Sequence, residues 1–259
     1  MIAEPRLASG VVEAKEAYHK HAMSPAPVIT LAPPHWGERA RKLLDKCFLF
    51  KALDEQQRRG LAALARSCTF APNEPIFHVG EPGSSMMGVM VGTVRISLPA
   101  WKDKLLILAD LPAGEFFGEM ALLDGKPRSA SAAALTKCEL LVFERRDFLT
   151  FLERSPSVCL KVMQMLCERV RSTDERMSEI AFFDLPARLA RALLRYPAQG
   201  HGPPKLSLSQ QELAEMVGAT RENVNRCMRE WQRRGILQLK DRWTIILKPE
   251  ALHLIEERH

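Results

Sequence analysis

Between Cys68 and Phe143 the sequence is broken into short apolar runs by glycine and proline, and this spacing restricts the possible folds more than any other feature. The runs are IFHVGEPG, GVMVGTVRISL, LLILADLPAGEFFG and LLVFE. Strands punctuated about every 8 to 12 residues indicate an antiparallel barrel or sandwich. Gly80, Gly92, Gly114 and Gly118 fall where turns need positive φ or close backbone approach.

The flanking segments have a different texture. Residues 1–36 carry Pro5, Pro25, Pro27, Pro33 and Pro34 without a sustained period, which predicts a mobile extension with one short helix near Val11–His21. Arg39–Cys47 and Asp54–Arg66 have helical spacing, with Leu43, Leu44, Leu61, Leu64 and Ala65 as inner positions. After the strands, Cys159, Val162, Leu166, Val170, Thr173, Met177 and Ile180 recur at alternating three- and four-residue steps. So narrow a stripe predicts a long helix, about Ser157 to Phe182, paired with a second copy of itself as a homodimer. The alternative is a helix packed on its own barrel.

Asp184-Leu-Pro186 restarts the chain, with Asp184 as cap and proline in a first turn. Ser209-Gln-Gln-Glu212 is a capping box, predicting a helix from Gln210 to Val217. Gly218 and Ala219 then make a tight turn, Thr220 caps a second helix, and Gly235 ends it. This is a helix-turn-helix. In the second helix Val224, Met228 and Trp231 share the inner face. Glu222, Asn225, Arg226, Arg229 and Arg233 share the outer one, with Arg221 at the N-terminal end. Recognition helices read base edges from their N-terminal half, arginine being suited to guanine and glutamate to cytosine. Ile236–Leu239 and Trp243–Leu247 flank Lys240-Asp241-Arg242 as a β-hairpin wing.

Charge placement agrees with this reading. Residues 184–259 hold 13 Lys/Arg against 9 Asp/Glu, whereas the first 183 hold 24 against 22. The last third is therefore the more basic by several-fold per residue, as for a domain that binds a polyanion. No run of about 18 apolar residues occurs, so no transmembrane helix is expected, and no secretory signal is recognisable. The six cysteines form neither a disulfide framework nor a metal motif, which predicts a reduced cytoplasmic protein without metal. No nucleophile, base and orienter recur together, so an enzyme is not expected.

Two motifs carry a family resemblance. FGEMALLDGKPRSASA, Phe117 to Ala132, resembles the phosphate-binding cassette of the cyclic-AMP receptor protein/FNR regulators, and TRENVNR, Thr220 to Arg226, resembles their DNA-reading helix. The resemblance covers about Arg41 to Leu247. It implies an α+β chain in four parts: a mobile extension (1–36), a cyclic-nucleotide-binding β-roll (37–156), a dimerisation helix and hinge (157–183), and a winged helix-turn-helix (184–259). It implies cyclic AMP or cyclic GMP as allosteric ligand, with RNA polymerase and palindromic TGTGA-like duplex DNA as partners.

The implied ligand site is Gly118, Glu119, Met120, Arg128, Ser129, Thr173 and Asp174. Arg128 can pair with a phosphate, and Ser129 adds a hydroxyl and a backbone N–H. Glu119 can accept from a ribose hydroxyl, and Gly118 clears the approach of the sugar. Thr173 matches the cyclic-AMP receptors, whereas Asp174 stands in place of their serine and fits the two-donor edge of guanine as well as the adenine amino group. The implied DNA contacts are Thr220, Arg221, Glu222, Asn225 and Arg226, with Lys240 on the wing. Rival readings within the family are a redox or gas sensor, or a regulator working without ligand. The iron–sulfur branch would need clustered N-terminal cysteines, and the first here is Cys47.

Overall fold

The computed structural model describes residues 54–99, 105–196, 204–240 and 243–257, together with the short strand Thr30–Leu31. The chain divides into two compact units between Cys167 and Glu168. In the first unit β1 (Thr30–Leu31) pairs antiparallel with β2 (Arg66–Phe70). Thr30 and Leu31 fall within residues 1–36, and their partner strand lies far along the chain, where no local signal marks it. The helices expected at Val11–His21 and Arg39–Cys47 lie outside the described residues.

Helix α1 (Glu55–Leu64) starts where Asp54 Oδ1 accepts from Gln57 N at 2.8 Å and Gln57 Oε1 accepts from Asp54 N at 3.1 Å. These reciprocal bonds satisfy two of the donors that a helix start otherwise leaves open. The strands that follow are β3 (Pro75–Phe77), β4 (Ser85–Val91), β5 (Thr93–Pro99), β6 (Leu105–Pro112), β7 (Phe116–Phe117), β8 (Ser131–Ala134) and β9 (Cys138–Glu144). They form two antiparallel sheets, ordered β1-β2-β9-β4-β7 and β3-β8-β5-β6. The chain passes from one sheet to the other at Gly92, between β4 and β5. There φ is +91°, and a Cβ would stand 2.3 Å from the Lys137 carbonyl oxygen, so only glycine fits.

Alternation along β9 places the core. Leu140 and Val142 join Phe70, Val89, Val94 and Phe117 between the sheets. Leu141 and Phe143 point the other way, to Leu61, Phe148, Leu152, Val158 and Val162 on the helices. A strand buried on both faces reads as a continuous apolar run, which is why LLVF shows no alternation. Helices α2 (Glu119–Asp124), α3 (Arg145–Glu153) and the long α4 (Pro156–Phe182) complete the order of elements.

In the second unit α5 (Leu185–Arg195) begins where Asp184 Oδ1 accepts from Ala187 N at 2.9 Å. Strand β10 (Lys205–Leu206), α6 (Gln210–Val217), α7 (Arg221–Arg233), β11 (Leu237–Lys240), β12 (Trp243–Ile246) and α8 (Pro249–Glu256) follow. The strands form an antiparallel sheet ordered β10-β12-β11. Leu189, Leu193, Leu213, Val217, Val224, Met228, Trp231, Ile246 and Leu252 share one core. The mixed helix and antiparallel-strand class expected from sequence is the class found. No described helix is long and apolar enough to cross a membrane.

Candidate functional site

The cassette residues form a cradle around a buried arginine. Gly118 closes β7 with φ +79°, and a Cβ on it would stand 2.6 Å from Arg128 Nη1. Glycine is therefore required here by the backbone, as the turn signal indicated, and by the arginine, which the sequence reading did not include. Arg128 is 6% exposed. Its Nη1 donates to the Ser85 carbonyl oxygen at 2.7 Å and to that of Gly118 at 3.0 Å, and its Nη2 donates to Ser85 Oγ at 3.0 Å. The guanidinium carbon lies 4.2 Å from the centre of the Phe77 ring. Burial pushes the guanidinium pKa down, and the carboxylates of Glu119, Glu81 and Glu144 push it back up.

The loop that carries Arg128 is pinned at its backbone. Arg128 N donates to Glu81 O and Gly80 N donates to Arg128 O, both at 2.8 Å, and Val79 N donates to Ser131 Oγ at 3.0 Å. Glu119 is buried at the start of α2, whereas Met120 and Ser129 are exposed, with Ser129 Oγ on Met120 Sδ at 3.5 Å. The first unit thus gathers Gly118, Glu119, Met120, Arg128 and Ser129, and adds Ser85, Phe77 and Gly83, which sequence reasoning missed. Those three lie in a run that carried only strand and turn signals. Thr173 and Asp174 belong to the second unit and are exposed, with Thr173 Oγ1 donating to Arg169 O at 2.9 Å.

The stripe expected to form a dimer seam is divided along α4. Val162 lies in the core of the first unit, and Cys159 and Leu166 pack against the same cluster. Val162 is thus covered by the first unit itself and Cys159 and Leu166 are partly covered by it, because the first turns of α4 carry apolar residues on two faces. The exposed face is offset by one residue over that stretch: Leu160, Met163, Cys167, Val170, Asp174, Met177 and Ala181, still in alternating steps of three and four. Of the expected positions, Val170, Thr173, Met177 and Ile180 are exposed. Leu160, Met163, Val170, Met177 and Ile180 are between 51% and 65% exposed.

The helix-turn-helix forms as the local signals require. Ser209 Oγ accepts from Glu212 N at 3.1 Å, and Ser209 N donates to Glu212 Oε2 at 2.9 Å. Gly218 makes the left-handed turn at φ +64°, and Thr220 Oγ1 accepts from Asn223 N at 3.3 Å to open α7. Val224, Met228 and Trp231 are buried beneath it. So is Cys227, whose thiol burial pushes up to about 12, with Glu230 and Asp184 adding to the rise. Glu222, Asn225, Arg226, Arg229 and Arg233 line one shallow surface depression, with Arg221 exposed at the helix start. Arg226 Nη2 donates to Asn223 Oδ1 at 3.3 Å. Lys240 ends β11, exposed and directly opposite Trp243. Among the described residues, no cluster of three or more His, Cys, Asp or Glu could hold a metal ion.

A sandwich with a buried-arginine cassette, joined by a long helix to a basic helix-turn-helix, defines a ligand-binding transcription regulator. Comparison with known proteins places it within that class. The profile of the cyclic nucleotide-binding domain matches residues 67–155, and that of the Crp-like helix-turn-helix domain matches residues 187–255. The chain is 35% identical over 170 residues to the cyclic AMP receptor protein of Thermus thermophilus, covering 66% of this chain and 78% of that one. It is 26% identical over 217 residues to the CRP-like cAMP-activated global transcriptional regulator of Mycobacterium tuberculosis, covering 82% and 97% respectively. Among solved structures it resembles the c-di-GMP responsive global regulator CLP of Xanthomonas campestris, with a TM-score of 0.68, 26% identity, and coverage of 74% of this chain and 99% of that one. The chain belongs to the CRP/FNR family of transcription regulators, which are not enzymes.

Proposed function

We propose that this protein is a homodimeric cytoplasmic regulator whose binding to palindromic, TGTGA-like DNA is controlled by a cyclic nucleotide, with cyclic AMP ahead of cyclic GMP. One observation supports the ligand assignment best. Arg128 Nε is buried and has no hydrogen-bond partner among the described residues, although each terminal nitrogen of the guanidinium makes at least one bond. A buried cation with an unsatisfied donor is costly in an apolar setting and is satisfied by an anion. The residues present therefore fit a phosphodiester. Arg128 would hold its charge, Ser129 would add a donor, and Glu119 would accept from the ribose hydroxyl beside Gly118. The roles of Met120, and of Thr173 and Asp174 as base contacts, rest on the family resemblance. Val170, Met177 and the other exposed apolar positions of α4 are the proposed dimer seam.

Ligand control follows if the nucleotide binds one arrangement of the protein more tightly than another, since only differential affinity shifts an equilibrium. Arg221, Glu222 and Arg226 would read bases, with Thr220, Asn225 and Lys240 as further contacts. The test is a DNA-mobility assay with four arms: no ligand, cyclic AMP, cyclic GMP and cyclic di-GMP. Retardation in a cyclic-mononucleotide arm alone supports the reading. Equal retardation in all arms removes ligand control, and retardation with cyclic di-GMP alone reassigns the ligand.

A further inference from the structure

We infer that Ser85 is a positioning residue for the cassette arginine: it holds one edge of the Arg128 guanidinium so that the other edge faces a cyclic phosphodiester. The inference rests on the function proposed above and adds to it a residue outside the cassette.

A guanidinium carries five N–H hydrogens in a fixed plane. Two on Nη1 are taken by the carbonyl oxygens of Ser85 and Gly118, and one on Nη2 by Ser85 Oγ. One hydrogen on Nη2 and the single hydrogen on Nε are left. These lie on the same long edge of the group, the fork that takes two oxygens of one phosphate side-on. Three further features preserve that edge. Phe77 covers one face of the plane, which limits tilting. Gly83 has no side chain, and a Cβ built there would stand 3.0 Å from both Cδ and Nε of Arg128 and 2.4 Å from Ala121 Cβ. Ser85 is itself 9% exposed at the start of β4, so little water competes with the guanidinium for its hydroxyl. A buried serine is often only a satisfied hydroxyl. Here hydroxyl and carbonyl of one residue grip both terminal nitrogens of one guanidinium, which fixes rotation about Cζ as well as position.

Removing the hydroxyl leaves the carbonyl bond in place and lets the plane pivot about Nη1. For Ser85→Ala the expected loss is about ten-fold in affinity for the cyclic nucleotide, the usual scale for one hydrogen bond to a charged group. The experiment is calorimetry on the full-length protein with cyclic AMP, cyclic GMP and the two phosphorothioate diastereomers of each, in which sulfur replaces one exocyclic phosphate oxygen or the other. Wild type should discriminate between the diastereomers, because a fixed fork distinguishes the two oxygens. Ser85→Ala should bind the parent nucleotide more weakly and lose most of that discrimination. Ser85→Thr, which keeps the hydroxyl, should restore both, and Ser85→Cys, which keeps the volume with a weaker acceptor, should behave like Ser85→Ala. A general structural defect would instead weaken parent and both diastereomers by one factor and leave their ratio unchanged, which overturns the inference. Unchanged parent affinity in Ser85→Ala and Ser85→Cys overturns it while leaving the cyclic-nucleotide reading intact. No binding of cyclic nucleotide to wild type removes both.

Discussion

Replacing Val170 by glutamate tests the dimer seam at a position that the protein's own core does not use. Val170 is 59% exposed. Full burial of an aliphatic side chain is worth about 1.5–3 kcal/mol, so covering what is left of Val170 contributes about 1 kcal/mol per protomer. In an isologous pair the residue occurs on both helices near the two-fold axis, so about 2 kcal/mol is lost. Two facing glutamates add about 1–2 kcal/mol of repulsion at a partly covered site. The sum, about 3–4 kcal/mol, should weaken dimerisation a hundred-fold or more. Sedimentation equilibrium over a dilution series reads this directly, with circular dichroism as the check that each unit remains folded. Val162→Ala is the contrasting change. Val162 lies in the first unit's core, so its truncation should lower stability by about 2 kcal/mol without shifting the dimer constant. A wild type that sediments as a monomer at micromolar concentration refutes the seam, as does a Val170→Glu dimer as tight as wild type.

Other consequences can be measured separately. Arg226→Ala should weaken binding to a TGTGA-type palindrome about ten-fold or more per half-site and relax preference at one guanine, whereas Lys240→Ala should weaken all sequences alike and flatten the salt dependence; selection from a randomised half-site library separates the two. Asp174→Ser should disfavour cyclic GMP relative to cyclic AMP, and an unchanged ratio of calorimetric affinities would show that Asp174 does not touch the base. Burial pushes the Cys68 and Cys227 thiols up to about 12, with Glu74 adding to the rise at Cys68 and Glu230 and Asp184 at Cys227. The unfolded thiols titrate near 9. The folded state therefore holds these protons longer, and stability present below about pH 9 should fall as pH rises toward 12. Melting temperature followed against pH should drop less steeply in Cys227→Val, and identical slopes would contradict the assignment.

What the sequence revealed was local. The capping box at Ser209, the left-handed Gly218, the Thr220 cap and the Asp184 cap are each decided within four residues, and each formed where expected. Helix α3 was hard to read because Glu144 precedes it without a side-chain cap bond; Lys248 makes none either, and the start of α8 is marked instead by Pro249 in its first turn. Helix α2 is six residues between two left-handed glycines, Gly118 and Gly125, and Gly118 reads in the sequence as a turn. The seam register was ambiguous for another reason. Cys159-Val162 and Leu160-Met163 are both apolar at helical spacing, and only the barrel decides which pair it covers. Arg128 was legible as a residue but not in its setting, since Ser85 and Phe77 lie some forty to fifty positions upstream.

The placement of β9 also dictates when the first unit can fold. Arg66 pairs with Val142 and Phe70 with Cys138, and β9 also lies beside β4, so the middle of the five-stranded sheet is missing until the chain has been made past Glu144. Closing loops of that length is slow, and upstream strands wait with open edges. During synthesis the sheet should remain open and protease-sensitive through most of its own length, then close when one seven-residue strand emerges. The second unit also closes late: β12, the middle of its three strands, and α8, which packs with α5, come at its end. Stalled nascent chains ending near residue 135 should be digested, and those extended beyond α3 should resist. Equal resistance at both lengths would mean that another element closes the sheet.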